Sequence, residues 1–176
     1  MGKINIMVGD ITNDELLKNH DCIVNPTNPR MVCGGGVSQA IFQKAGINQL
    51  ENYTQNKYNI SYFNEDNLMK VGEVRITPGF NLGIDILFAQ GPKAYDYLDT
   101  KIAKSLLLNT YNNLINIAYN NGYKNILCPS LGTGSYYFKH SDIAKLVIST
   151  INNNIKAKDL NITLVIFNPE DKKYYE

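Results

Sequence analysis

The stretch Val24-Asn25-Pro26-Thr27-Asn28-Pro29-Arg30-Met31-Val32-Cys33-Gly34-Gly35-Gly36-Val37-Ser38 decides how this chain is read. It opens on the end of a short apolar run, Cys22-Ile23-Val24, with the length and composition of a buried strand. A polar loop carrying Asn25 and Asn28 follows. The loop closes on three glycines, directly ahead of an apolar pattern that predicts a helix over residues 37–45 with Val37, Ala40, Ile41 and Ala45 facing inward and Gly46 ending it. Glycines let the backbone turn tightly and let a ligand approach the main chain. The free N–H groups at the start of the next helix favour an anion, commonly a phosphate. The stretch therefore reads as a phosphate- and sugar-binding loop at the carboxyl end of a strand, where ligands sit in open α/β sheets.

Working outward, the pattern on both sides supports such a sheet. Residues 3–8 alternate apolar and polar and predict a strand that ends in Gly9-Asp10-Ile11-Thr12. A short helix over 12–19, capped by Thr12 or Asn13, leads to the strand 21–25. Residues 49–68 are polar and rich in Tyr, and read as one irregular helix and a loop. Strands are predicted over 72–78 and 84–90, joined by Pro78-Gly79-Phe80-Asn81-Leu82-Gly83, a connection that suits an antiparallel pair. The longest helix spans 98–121, with a stripe of Ala103, Leu106, Leu107, Thr110, Leu114, Ile117 and Ala118, and Gly122 as its stop. A buried strand over 125–130 runs into Leu131-Gly132-Thr133-Gly134-Ser135-Tyr136. A helix capped by Ser141 and a final strand over 161–167 complete the series, before a charged, aromatic tail. Strands and helices in alternation predict a mixed, mostly parallel sheet with helices on both faces.

Bulk properties narrow the function. The 176 residues form one domain on length, with 44% hydrophobic and 19% charged residues. A net charge of +1 supplies no field for nucleic acid or an anionic membrane. No apolar run has the length and flanks of a signal peptide or a membrane span, so a cytoplasmic monomer is expected. Three cysteines and two histidines lack metal-ligand spacing, and the odd cysteine count argues against a disulfide framework. No metal and no cofactor are expected.

Three predicted strand ends carry polar loops, and a parallel sheet gathers them at one edge. Together they offer the Asp10 carboxylate, the Asn25 and Asn28 amides and two glycine-rich nests, an inventory that fits a phosphorylated, hydroxyl-rich ligand. Each part also has a plainer reading. Asp10 serves equally well as a turn cap. Asn25 and Asn28 are able to hold their own loop, Asn25 above all. Cys33 is a nucleophile only if a base stands beside it, and the sequence places none. The order of the pieces is what carries information.

That order resembles the macrodomain family. The matching pieces are Gly9-Asp10-Ile11-Thr12, Ile23-Val24-Asn25-Pro26-Thr27-Asn28, Gly34-Gly35-Gly36-Val37 with Ala40-Ile41 and Ala45-Gly46, Gly72-Glu73-Val74 with Thr77-Pro78-Gly79, Gly91-Pro92, and Pro129 through Gly134, with Phe167-Asn168 at the end. The resemblance runs over nearly the whole chain. It implies a three-layer α/β/α sandwich forming a single macrodomain over 1–176, one that binds ADP-ribose or an ADP-ribosylated substrate. Many members hydrolyse ADP-ribosyl bonds or deacetylate O-acetyl-ADP-ribose.

Residue by residue, the resemblance implies that Asp10 accepts a hydrogen bond from the adenine amino group, Ile11 adds a main-chain contact and Phe167 packs on the base. Gly34, Gly35, Gly36 and Val37, with Thr133, Gly134, Ser135 and Tyr136, cradle the diphosphate and terminal ribose. Asn25, Ser130 and Asn168 join this ligand-lining set. Asn28, at the reactive carbon of the ribose, and Ser38 form the catalytic pair. Three positions depart from the family pattern. Ser38 stands where many hydrolases have Asp, and a hydroxyl is a poor base near neutral pH. Tyr136-Tyr137-Phe138 crowds a loop end that usually holds a second glycine. Phe88-Ala89-Gln90 replaces a segment that often contains His. Without an Asp at 38, the resemblance implies an ordered water as nucleophile, and the competing reading is a binding module with no hydrolysis.

Overall fold

The computed structural model describes residues 2–176. Six strands form one sheet: β1 (Lys3–Val8), β2 (Cys22–Pro26), β3 (Val74–Thr77), β4 (Asp85–Ala89), β5 (Asn125–Pro129) and β6 (Asn161–Ile166). Their order across the sheet is β1-β6-β5-β2-β4-β3. All neighbours pair in parallel except β3 and β4, which are antiparallel, as the turn-rich connection between them predicts. Five strands thus point one way, and their carboxyl ends share one edge. In register, Val8 lies beside Ile166, Pro129 beside Val165 and Pro26 beside Ala89.

The helices are α1 (Asp14–Lys18), α2 (Gly36–Ala45), α3 (Ile47–Lys57), α4 (Thr100–Asn120) and α5 (His140–Asn153). Alternation along the strands sends side chains to two cores. Val24, Leu87, Cys128 and Leu164 pack with Leu107 and Tyr111 of α4 and Val147 of α5 on one face. Ile23, Phe88, Leu127 and Val165 pack with Ile41 and Phe42 of α2 and Leu50 of α3 on the other. That is the expected three-layer α/β/α sandwich. Each such Leu, Ile or Phe contributes about 1.5–3 kcal/mol through burial. Phe42 and Phe88 meet edge to face, ring centroids 5.8 Å apart, and tie α2 to the sheet.

Three local predictions need correction. In α2 the buried set is Ser38, Ile41, Phe42 and Ala45, whereas Val37 and Ala40 are half-buried. The inward face is rotated from the predicted one because Phe42 docks against Phe88 of the sheet, which brings the small Ser38 inward one turn earlier. In α4, Tyr111 and Ile115 fill the buried stripe, and Leu106 and Ile117 lie at its margin. The cap of α5 is Lys139 rather than Ser141, with His140 already in the first turn and no side chain capping the end. Asn13, by contrast, caps α1 by accepting from the Glu15 N–H at 2.9 Å. The polar segment after α2 forms a regular helix, α3, and then a series of turns.

Candidate functional site

The parallel edge collects four loops: 9–12 after β1, 27–36 after β2, 130–136 after β5 and 167–168 after β6. Because β1, β6, β5 and β2 are consecutive in the sheet, these loops stand in a row.

At one end, Asp10 Oδ1 accepts from the Thr12 N–H at 2.8 Å and the Thr12 hydroxyl at 2.7 Å. The carboxylate therefore does cap its turn, as the plainer reading had it, yet only Oδ1 is used and the side chain is exposed. Ile11 is buried beneath it. Gly9 N–H donates to the Ile166 carbonyl at 3.1 Å, which fastens this loop to the neighbouring strand end, where Phe167 stands 82% exposed. An aromatic ring so exposed beside a carboxylate can cover a flat apolar partner. Asn168 caps the last turn of chain by accepting from the Glu170 N–H at 3.1 Å.

At the other end, only one of the two asparagines holds the loop, and it is not Asn25, the residue the sequence favoured for that task. Asn28 holds the β2 loop: its Oδ1 accepts from the N–H groups of Arg30 (3.1 Å) and Val32 (3.3 Å), and its Nδ2 donates to the Val32 carbonyl (2.8 Å). Asn25 is fully buried, and neither end of its amide has a hydrogen-bond partner among the described residues. The strand places it there: Asn25 pairs in register with Phe88 and faces the α2 side of the sheet. Ser38, also buried, accepts from the Gly34 N–H at 3.4 Å. A side chain built on Gly34 would lie 3.6 Å from Ser38 Oγ and 3.7 Å from Asn28 Nδ2. Asn28 and Ser38 thus converge on Gly34. Beyond it, Gly35 and Gly36 are exposed, and a Cβ on either would meet nothing within 4 Å. Gly36 has φ +57, a conformation that favours glycine, and no side chain caps the start of α2. Its N–H groups are left for an anion.

The β5 loop lies between these ends. Ser130 Oγ is 2.5 Å from the Tyr175 hydroxyl, and its carbonyl accepts from the Thr133 hydroxyl at 2.9 Å. Gly134 and Ser135 are exposed at the tip, and Thr133 is half-buried. The Tyr136 hydroxyl donates to the Thr27 carbonyl at 3.2 Å and receives the Gln90 Nε2–H at 3.1 Å, so the loop is latched to the β2 loop and to the end of β4. Of the three aromatic residues that crowd this loop, Phe138 packs in the core and Tyr137 is 72% exposed, edge to face with Tyr95 at 5.6 Å.

Sequence reasoning gave no role to Tyr111 or Tyr175, and quoted Thr27 and Gln90 only as parts of segments, without the contacts they make. Their contribution rests on contacts across 20 or more residues, such as the Leu131 N–H donating to the Tyr111 hydroxyl at 2.8 Å, and no local pattern marks them. Cys33 is disfavoured as a nucleophile: burial and then the nearby Glu51 charge push its thiol pKa up, which suppresses the thiolate. Among the described residues, no group of three or more His, Cys, Asp and Glu is placed to hold a metal ion, and no helix is long and apolar enough to cross a membrane.

A sequence profile for the Macro domain family matches residues 24–147, from within β2 to the middle of α5. The chain belongs to the Macro domain family. This macro domain is 28% identical to an O-acetyl-ADP-ribose deacetylase of an Enterobacter species, over 99% of this chain and 92% of that protein. It is 28% identical to the ADP-ribose glycohydrolase MACROD2 of Xenopus laevis, over 94% of this chain and 36% of that protein. Among solved structures it resembles a macrodomain of Oceanobacillus iheyensis with ADP, at TM-score 0.84 and 30% identity over 99% of this chain and 88% of the other. The fold expected from the sequence is therefore the fold of the family.

Proposed function

We propose that this macro domain binds ADP-ribose along the row of four loops and hydrolyses ADP-ribosyl linkages, on mono-ADP-ribosylated protein or O-acetyl-ADP-ribose, through an ordered water. The observation that carries the reading is the strand order β1-β6-β5-β2. It sets a carboxylate and an exposed ring, a Gly-Ser turn, and a glycine triplet in the sequence that an adenine, a diphosphate and a distal ribose require. An acceptor-only carboxylate suits the adenine amine, and free N–H groups suit phosphate oxygens. The names of the relatives support the same ligand.

In the reaction, the bond from the anomeric carbon to its acceptor breaks, positive charge builds on the ribose, and water supplies the new C–O bond while its proton passes to the leaving group. For the acetyl ester, the same water attacks the acetyl carbon, the bond from that carbon to the ribose oxygen breaks, and the water's proton passes to that oxygen, which leaves acetate and the free ribose hydroxyl. Asn28 is the residue assigned to orient the ribose and water, with Ser38 beside it. Positioning and electrostatics would then supply most of the rate.

Ser38 also supports a second reading, a binding module without turnover, because it is buried, already accepts from Gly34 and is a weak base. Incubation with mono-ADP-ribosylated protein and with O-acetyl-ADP-ribose separates the two. Release of ADP-ribose supports the hydrolase; tight binding with no release supports the module.

A further inference from the structure

Behind the β5 loop, four side chains form a chain that the proposed hydrolysis does not use. Asp171 Oδ2 lies 3.4 Å from His140 Nε2. His140 Nδ1 is 2.8 Å from the Tyr175 hydroxyl, which is in turn 2.5 Å from Ser130 Oγ. The members come from the start of α5, the C-terminal segment Pro169–Tyr175 and the end of β5. Tyr175 is buried, and its phenol pKa is pushed up to about 12, mainly by burial, so it keeps its proton through the ordinary pH range. Asp171 and Tyr175 are the groups that face the imidazole from the C-terminal segment. On its own helix, Lys139 and Asp142 are near in sequence and exposed. Burial lowers the His140 pKa below 6.5, with Asp171 opposing in part, so the ring is neutral at pH 7.

The donor and acceptor inventory then fixes direction. A carboxylate only accepts, so in the neutral ring Nε2 carries the hydrogen and Nδ1 accepts from the Tyr175 O–H. The Tyr175 oxygen must accept from the Ser130 O–H. In the protonated ring both nitrogens donate. Nδ1–H now points at the Tyr175 oxygen, the Tyr175 O–H turns to the Ser130 oxygen, and the Ser130 O–H is released. Solvent supplies one proton, which ends on Nδ1; the two hydroxyl protons only rotate about their C–O bonds.

We propose that His140 and Tyr175 are positioning residues for the β5 loop, acting through Ser130: protonation of His140 reverses the hydrogen-bond chain and turns the Ser130 hydroxyl from Tyr175 toward the loop that bears Thr133 to Tyr136. The consequence for ligand binding rests on the ADP-ribose reading; the reversal itself does not.

The test is a pH titration of the full chain without ligand, followed by NMR from pH 8 to pH 5. The His140→Gln variant identifies the His140 ring signals against those of His20. The backbone amides of Ser130 to Gly134 should shift with the midpoint of the His140 ring. In Tyr175→Phe, the ring should still titrate and the loop amides should lose that step; Ser130→Ala should lose it too, and stands in if Tyr175→Phe fails to fold. Loop amides that stay flat through the wild-type His140 titration would overturn the proposal, as would a step that survives in the variants. ADP-ribose titrations at both pH values then extend it: the affinity should differ several-fold in wild type and not in Tyr175→Phe. A protein that ignores ADP-ribose at every pH but keeps the amide step removes the ligand reading and leaves the relay standing.

Discussion

The two glycine-bearing loops of the site use the same residue for opposite reasons. In the β2 loop, Gly35 and Gly36 face open space, and a Cβ would touch nothing. Glycine there leaves the main chain bare to whatever approaches. In the β5 loop, Gly132 sits at φ +82 and a Cβ would come within 2.7 Å of Phe138 Cδ2. Glycine there lets the chain fold back on its own core. The anchors differ in kind as well. The β2 loop is braced by the Asn28 amide, bonded to its own backbone, and by Thr54 and Gln55 of α3, which donate to the Met31 and Arg30 carbonyls at 2.9 Å. The β5 loop is held by the hydroxyls of Tyr111, Tyr136 and Tyr175, all distant from it or reaching across to other elements. One loop is built for access, the other for placement.

The sharpest way to break this contrast is a matched pair of substitutions. Gly132→Val should cost about 3 kcal/mol of folding stability in urea denaturation, through overpacking and a disfavoured backbone conformation. Gly35→Ala, in an extended backbone at φ −89, should stay within about 0.5 kcal/mol of wild type. It should instead weaken ADP-ribose, because the methyl group occupies the approach to the amides. Equal stability losses in both variants would dissolve the distinction. Next in size, Asn28→Ala should lower turnover of an ADP-ribosylated substrate by about 100-fold, the scale of losing one oriented polar group at a reacting centre. Unchanged turnover would reduce Asn28 to a loop brace.

Asp10→Ala should weaken ADP-ribose about tenfold, as expected for a hydrogen bond to a charged group of about 1.5 kcal/mol, while leaving a ligand without adenine unaffected. A similar loss for both ligands would show that Asp10 matters only through its turn with Thr12. The smallest effect concerns acidification. The folded-state pKa of His140 lies below 6.5, so on acidification the unfolded chain takes the proton first. Stability is then full above 6.5 and falls as pH drops through the folded value. Denaturation curves of His140→Gln should lack that component; an identical pH profile in the variant would assign the decline to other groups.

Much of this was legible in the sequence because the signals were local. Alternation fixed the faces of the strands, Gly46 ended α2 at φ +107, and the Pro-Gly-rich turn set the antiparallel pair. The gathering of loops at one edge followed from parallel pairing alone. What was not legible depended on rotation and distance. The buried face of α2 turned on how the helix docks, with Phe42 against Phe88 of the sheet. Of the two asparagines, Asn28 alone holds the loop because the strand runs through Asn25 and sends it into the sheet–helix layer, which the local pattern does not reveal. The tyrosine anchors come from α4, the β5 loop itself and the C-terminus, and only the folded chain brings them together.

The central claim is that the edge formed by β1, β6, β5 and β2 takes ADP-ribose. A calorimetric titration tests it most directly. The account predicts one site with micromolar affinity, about −8 kcal/mol, weakened in Gly35→Ala without loss of stability. A folded protein that gives no heat and no shift in melting temperature at millimolar ADP-ribose would contradict it.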